Sequence, residues 1–99
     1  MRRGSTPTFS FRLPAETSRF AEIGVIFTQN GKTVLAVDRS RFLAESTEIS
    51  FVMTKEETLA FLPNEAAELQ LSLTDVDGNI WVSDIRTCTV RKKYPEDLI

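Results

Sequence analysis

The sequence predicts a compact, mostly antiparallel β domain, and three observations predict it. Asn30-Gly31 separates Glu22–Gln29 from Lys32–Val37; both residues of that pair tolerate φ > 0, so the dipeptide selects the type I′ turn whose twist suits the strands it joins. Asp75-Val76-Asp77-Gly78 separates Ala67–Thr74 from Asn79–Val90 and predicts a second hairpin. Between residues 67 and 74 the alternation is strict, with Ala67, Leu69, Leu71 and Leu73 on one side and Glu68, Gln70, Ser72 and Thr74 on the other. That pattern describes a strand with one dry face and one wet face.

The remaining elements follow in chain order. Residues 1–5 precede any patterned segment and are expected to form a mobile arm. Thr8 to Leu13 alternates and reads as a first strand, ended by Pro14, which has no N–H for a ladder. In the first hairpin a two-residue turn sets Phe27 opposite Val34 and Val25 opposite Ala36. Ile23, Val25 and Phe27 then share one face, and Ile26, Leu35 and Val37 the other, which places the hairpin centrally in its sheet or under a cover. Residues 38–47 read as a loop with a short edge strand about Arg41–Ala44, and Glu48–Met53 as a short strand. Thr54-Lys55-Glu56-Glu57 spells a capping box and starts a helix over 55–61 that Leu62-Pro63-Asn64 ends. Leu59 and Leu62 are expected to plug one end of the domain. In the last strand Ile80 and Val82 share a parity that Ile85 lacks, which predicts a β-bulge near Ser83-Asp84 that turns all three to the core. The domain spans 6–92, and 93–99 form a C-terminal tail.

At 99 residues, 41% hydrophobic and 26% charged, the chain has the size and composition of one globular domain. A net charge of −2 gives no overall attraction to nucleic acid or anionic lipid. No window approaches the roughly 18 apolar residues of a membrane span, and Arg2-Arg3 is followed by the alternating Thr6–Arg12 rather than the apolar core of a signal peptide. Cys88 stands alone, so an intrachain disulfide is excluded and a reducing compartment suits the chain. The expectation is a protein made in the cytosol that binds neither nucleic acid nor membrane.

The absence of histidine removes the usual general base, the base of Ser-His and Cys-His pairs, and the commonest metal ligand. Glu56, Glu57, Asp75, Asp77 and Asp84 remain as carboxylate candidates, of which the first two suit the opening turn of a helix. No catalytic residue is assigned. Asp75-Val76-Asp77-Gly78-Asn79 begins like a calcium loop, but Ile80 stands where its sixth position needs Gly and Arg86 where its twelfth needs Glu. Turn chemistry accounts for Asp, Asn and Gly there, so no metal or cofactor is expected. Arg91-Lys92-Lys93 beside Tyr94, with Arg2-Arg3, reads first as a solvated terminus. Cys88, with no basic neighbour in sequence, reads as an inert small thiol. Trp81, on the face opposite Ile80 and Val82, either packs into the core or anchors a protein interface. Tyr94, Leu98 and Ile99 are the other candidate interface residues.

Met1-Arg2-Arg3-Gly4-Ser5-Thr6-Pro7-Thr8, Phe27–Lys32, Leu35, Met53–Leu59, Glu68–Leu71 and Asp77-Gly78 followed by Ser83-Asp84-Ile85 span most of the chain. In these residues it resembles a family of small proteins encoded among the structural genes of phages and prophages of Gram-positive bacteria. Arg91–Glu96 departs from the small-residue run usual in that family. Its members are similar to the immunoglobulin-like N-terminal domain of phage baseplate upper proteins. The resemblance implies an all-β, immunoglobulin-like antiparallel β-sandwich of about seven strands with one short helix. It also implies a non-enzymatic virion protein of the tail or baseplate, synthesised in the host cytoplasm and assembled onto other phage structural proteins or further copies of itself. The alternative is a prophage-encoded cytosolic module that binds a host protein. The family brings no catalytic residue and no cofactor.

Overall fold

The computed structural model describes residues 1–91. They form β1 (Thr8–Arg12), β2 (Phe20–Gln29), β3 (Lys32–Asp38), β4 (Leu43–Glu45), β5 (Glu48–Val52), α1 (Lys55–Leu59), β6 (Ala66–Asp75), β7 (Ile80–Val82) and β8 (Arg86–Thr89). The strands make two antiparallel sheets ordered β1-β5-β4 and β3-β2-β6-β7, with β8 continuing along β6 beyond β7. The result is an all-β sandwich, which realises the antiparallel β domain that the alternation predicts. In an immunoglobulin constant domain the second strand lies beside the fifth, whereas here β2 lies between β3 and β6.

The inner faces meet through aromatic rings. Phe27 of β2 makes edge-to-face contacts with Phe9 (5.2 Å), Phe51 (6.1 Å) and Phe61 (5.9 Å), drawing one residue from each of β1, β5 and the segment after α1 onto a single side chain. Such pairs add to the transfer energy of the buried rings. Ile23, Val25, Ala67, Leu69, Leu71 and Leu73 complete the dry face of the larger sheet, and all are buried. The Ala67–Leu73 alternation is therefore realised as it reads.

The turn of the first hairpin and the helix start both follow their local chemistry. Asn30 (φ 53°) and Gly31 (φ 76°) both occupy the left-handed region that a type I′ turn requires. The Thr54 hydroxyl accepts from the Glu57 N–H at 3.1 Å while Glu57 accepts from the Thr54 N–H at 2.8 Å, and the helix ends earlier than expected, at Leu59. Its buried contributions are Thr58 and, just beyond it, Phe61; Leu62 is exposed and Leu59 only half-buried. The ring of Phe61 reaches the core because Leu62 is turned outward by its backbone bonds to Gln29.

Registers differ from expectation at two places, and a third is as expected in register but not in which side chains it buries. In β2–β3 the ladder runs Gln29↔Lys32 and Thr28↔Thr33, then shifts so that Phe27 faces Leu35 and Val25 faces Val37. A one-residue bulge beside Val34 makes this shift, and its effect is to bring Val37 to the inner face, where it is buried. In the second hairpin the Asp75 N–H donates to the Asn79 carbonyl at 2.9 Å, so three residues rather than four make the loop, with Gly78 at φ 90° and its N–H on the Asp75 carbonyl. That one residue decides the parity of β7: Trp81 faces Leu73 and turns inward, while Ile80 and Val82 face Thr74 and Ser72 and turn outward. A bulge does lie between β7 and β8, where three steps along β6 from Ser72 to Leu69 match four from Val82 to Arg86. It leaves Ile85 outside and brings Cys88 and Val90 inward instead.

Residues 1–5, expected as an arm, lie against the domain. Arg2 bridges Arg91, the nitrogen of Met1 donates to the Thr89 carbonyl at 2.6 Å, and the Gly4 N–H donates to the Thr58 hydroxyl at 2.8 Å. The loop region 38–47 contains a 3-10 turn at Arg39–Arg41 and the edge strand β4. No helix among the described residues is long and apolar enough to cross a membrane.

Candidate interaction surface

The outer face of the larger sheet carries Glu22, Gly24, Ile26 and Thr28 from β2 and Glu68, Gln70, Ser72 and Thr74 from β6, set by the pairs Ile26↔Gln70, Gly24↔Ser72 and Glu22↔Thr74. Small residues in the middle make this face shallow, and an open cleft of about 500 Å³ lies over Glu22, Gly24, Asp38, Arg39, Ser72 and Thr74. Along its margin β7 and the bulge set out Ile80 (71% exposed), Val82 (58%) and Ile85 (59%), with Trp81 (49%) on the other side of the same strand. Ile26 faces Ile85 across a hollow of about 190 Å³. Consecutive large apolar side chains left in water on one strand mark a contact surface more often than scattered ones do.

The backbone of β7 is open as well. In an antiparallel ladder alternate pairs exchange hydrogen bonds. The bonds at Asp75/Asn79 and at Leu71/Ser83 put Leu73/Trp81 in the bonded phase, so the N–H and C=O groups of Ile80 and Val82 point away from β6. β7 ends the sheet order, and nothing pairs with it on that side among the described residues. An edge of this kind accepts another strand.

Trp81 is held in place rather than left to swing. Its indole N–H donates to the Asp75 carboxylate at 3.4 Å, and the ring borders a small hollow shared with Pro14, Ala15, Arg19 and Phe20. The same carboxylate accepts from the Asp77 and Asn79 N–H groups, each at 2.9 Å, and from the Asn79 amide at 3.1 Å. Partial desolvation pushes the Asp75 carboxyl up, and donation from Asn79, Trp81 and Asp77 outweighs it, leaving the group below the usual carboxylate range. The loop that began like a calcium site spends its first carboxylate on its own donors. Asp38 is likewise held low, by the hydroxyl and then the N–H of Ser40.

The other carboxylate candidates do not converge. Glu57 is engaged by Arg41 at 2.7 Å, and no group of three or more metal-ligating side chains occurs among the described residues. Cys88 sits opposite Ala67 against the core. Of the expected interface residues, Trp81 is on this surface, while Tyr94, Leu98 and Ile99 lie outside the described residues. Ile80, Val82 and Ile85, which parity in the sequence places in the core, belong to the surface. Their signal lay in the wet position of Thr74: once the loop closes at Asp75/Asn79, Ile80 must share it. No family model, curated protein or solved structure matches the chain.

Proposed function

We propose that this chain is a non-enzymatic assembly module, a structural or adaptor protein of a phage particle that acts in the tail or baseplate by protein–protein contact. The observation that supports the reading best is the β7 margin, where an unpaired strand edge and the apolar side chains of Ile80, Trp81, Val82 and Ile85 coincide. The edge is short, three residues, but all three of its side chains are large, apolar and exposed. The family resemblance supplies the particle.

The test is the composition of purified particles. Particles from the producing lysogen, banded on a density gradient and washed in high salt, are expected to carry the chain at fixed copy number alongside tail proteins. Recovery of the chain only from the cytosolic fraction, in complex with a host protein, would replace this reading with that of a prophage-encoded regulatory module.

A further inference from the structure

We infer that the β7 edge takes an extended strand of a different protein, one with alternating apolar residues and basic residues at its ends, rather than a second copy of this chain. The inference rests on the assembly reading above and deepens it by specifying the partner's chemistry. Backbone groups of Ile80 and Val82 supply the pairing, and the side chains on both faces of β7 supply the apolar contact. An added strand would cover Ile80 and Val82 on one face and extend the hollow beside Trp81 on the other.

Charge decides between the two occupants. Asp77 precedes β7 and Asp84 follows it, and both are exposed. On the neighbouring outer face stand Glu22, Asp38 and Glu68; of the cations near the edge, Arg39 is turned back to donate to the Phe20 carbonyl, while Arg86 and Arg19 are exposed, so these five carboxylates outnumber three cations. If two copies paired antiparallel about Trp81, Asp84 of each would fall beside Gly78 of the other, next to Asp77, and Arg86 beside Val76, so each end of the joint would set two carboxylates against one cation. Like charges opposed across a strand pair are destabilising. A strand with lysine or arginine at its ends meets the same carboxylates as partners, and such complementarity acts on both selectivity and encounter rate.

A blocked synthetic peptide, Lys-Lys-Thr-Val-Thr-Val-Thr-Lys-Lys, serves as probe, titrated into the isotopically labelled full chain and followed by amide shifts. Saturable shifts are expected at Ile80 and Val82, with affinity about tenfold weaker for the version in which glutamate replaces every lysine, and weakening with salt. Val82→Pro removes one outward N–H at an edge position that tolerates proline, and is expected to abolish binding while leaving the remaining amide spectrum in place. Asp77→Asn with Asp84→Asn keeps the fold and is expected to weaken the lysine peptide several-fold. The inference is overturned by no binding at about 1 mM peptide, the weak end of ordinary affinities, by equal binding of the two peptides, by unchanged binding in Val82→Pro, or by shifts confined to another edge such as β4. A sedimentation-defined dimer that Val82→Pro converts to monomer would assign the edge to a second copy and overturn it as well. Particle incorporation without peptide binding rejects this inference and leaves the assembly reading intact; peptide binding without particle incorporation does the reverse.

Discussion

The side-chain amide of Gln29 pairs with the backbone of Leu62 as a neighbouring strand would: its carbonyl accepts from the Leu62 N–H at 2.7 Å and its NH₂ donates to the Leu62 carbonyl at 3.0 Å. A third bond reaches the Glu65 carbonyl at 3.3 Å. Gln29 is buried, and it ties the end of the first hairpin to the segment that carries Phe61 into the core. Gln29→Leu would fill the same space but leave the Leu62 groups without partners, at a cost of roughly 1–3 kcal/mol. The expected result is a lower urea midpoint with an unchanged slope. An unchanged midpoint would mean that solvent satisfies Leu62 equally well.

A second prediction concerns acid. Hydrogen bonding from Arg41, aided by the Thr54 N–H, outweighs partial burial and holds the Glu57 carboxyl down at about 2, against an ordinary 4.5. Because the folded value is the depressed one, the ion pair's stabilisation is fully present above about pH 4.5 and is lost as the pH falls towards 2. The pair is partly exposed, so its contribution at neutral pH is about 1 kcal/mol or less. Wild type should exceed Glu57→Gln in stability at pH 7 by that margin, and the gap should close between pH 4.5 and 2. A gap that stays constant would show that the cap, not the charge, carries the effect.

The third prediction tests the arm. The Thr58 hydroxyl is buried, donates to the Lys55 carbonyl at 2.8 Å and accepts the Gly4 N–H. Thr58→Val keeps the shape and removes that acceptor. Destabilisation of about 1–2 kcal/mol is expected, with faster hydrogen exchange at Gly4 and recovery in Thr58→Ser. Exchange at Gly4 that is already fast in the wild type would show that residues 1–5 do not stay docked.

The fourth concerns the second hairpin. Gly78 at φ 90° is outside the range an L side chain prefers, so Gly78→Ala should cost about 1–2 kcal/mol. Because Asp75 already accepts from Asp77, Asn79 and Trp81, thermal midpoints in EDTA and in millimolar calcium should coincide. A clear rise in calcium would mean that the loop opens to bind it.

What the sequence conveyed was local, and what it concealed depended on distant partners or on single residues of length. Asn30-Gly31, the Thr54/Glu57 box and the Ala67–Leu73 alternation carry their own geometry within a few positions, and each is realised. Gln29 and Thr58 look like ordinary polar residues, because their partners at Leu62 and Gly4 lie far along the chain. The parity of β7 turned on whether Asp75 pairs with Asn79, a choice that composition leaves open because Asp, Gly and Asn suit either loop. The same ambiguity hid the candidate surface: Ile80, Val82 and Ile85 are core-like in type, and only the register shows which way they face.

The bulge between Val82 and Arg86 has an evolutionary consequence. It switches the inward phase from odd to even numbers, so one continuous stretch shows Ile80, Val82 and Ile85 to water and then buries Val90 and half-buries Cys88. Loss of a single codon at 83–85 would bring the two halves into one phase. The chain would then have to expose Val90 or to invert Trp81 and its neighbours, sacrificing either the interior or the margin. Substitutions in this stretch are negotiable one side chain at a time, but its length is not, and lineages that keep both surfaces should vary the letters between Val82 and Arg86 far more readily than their number.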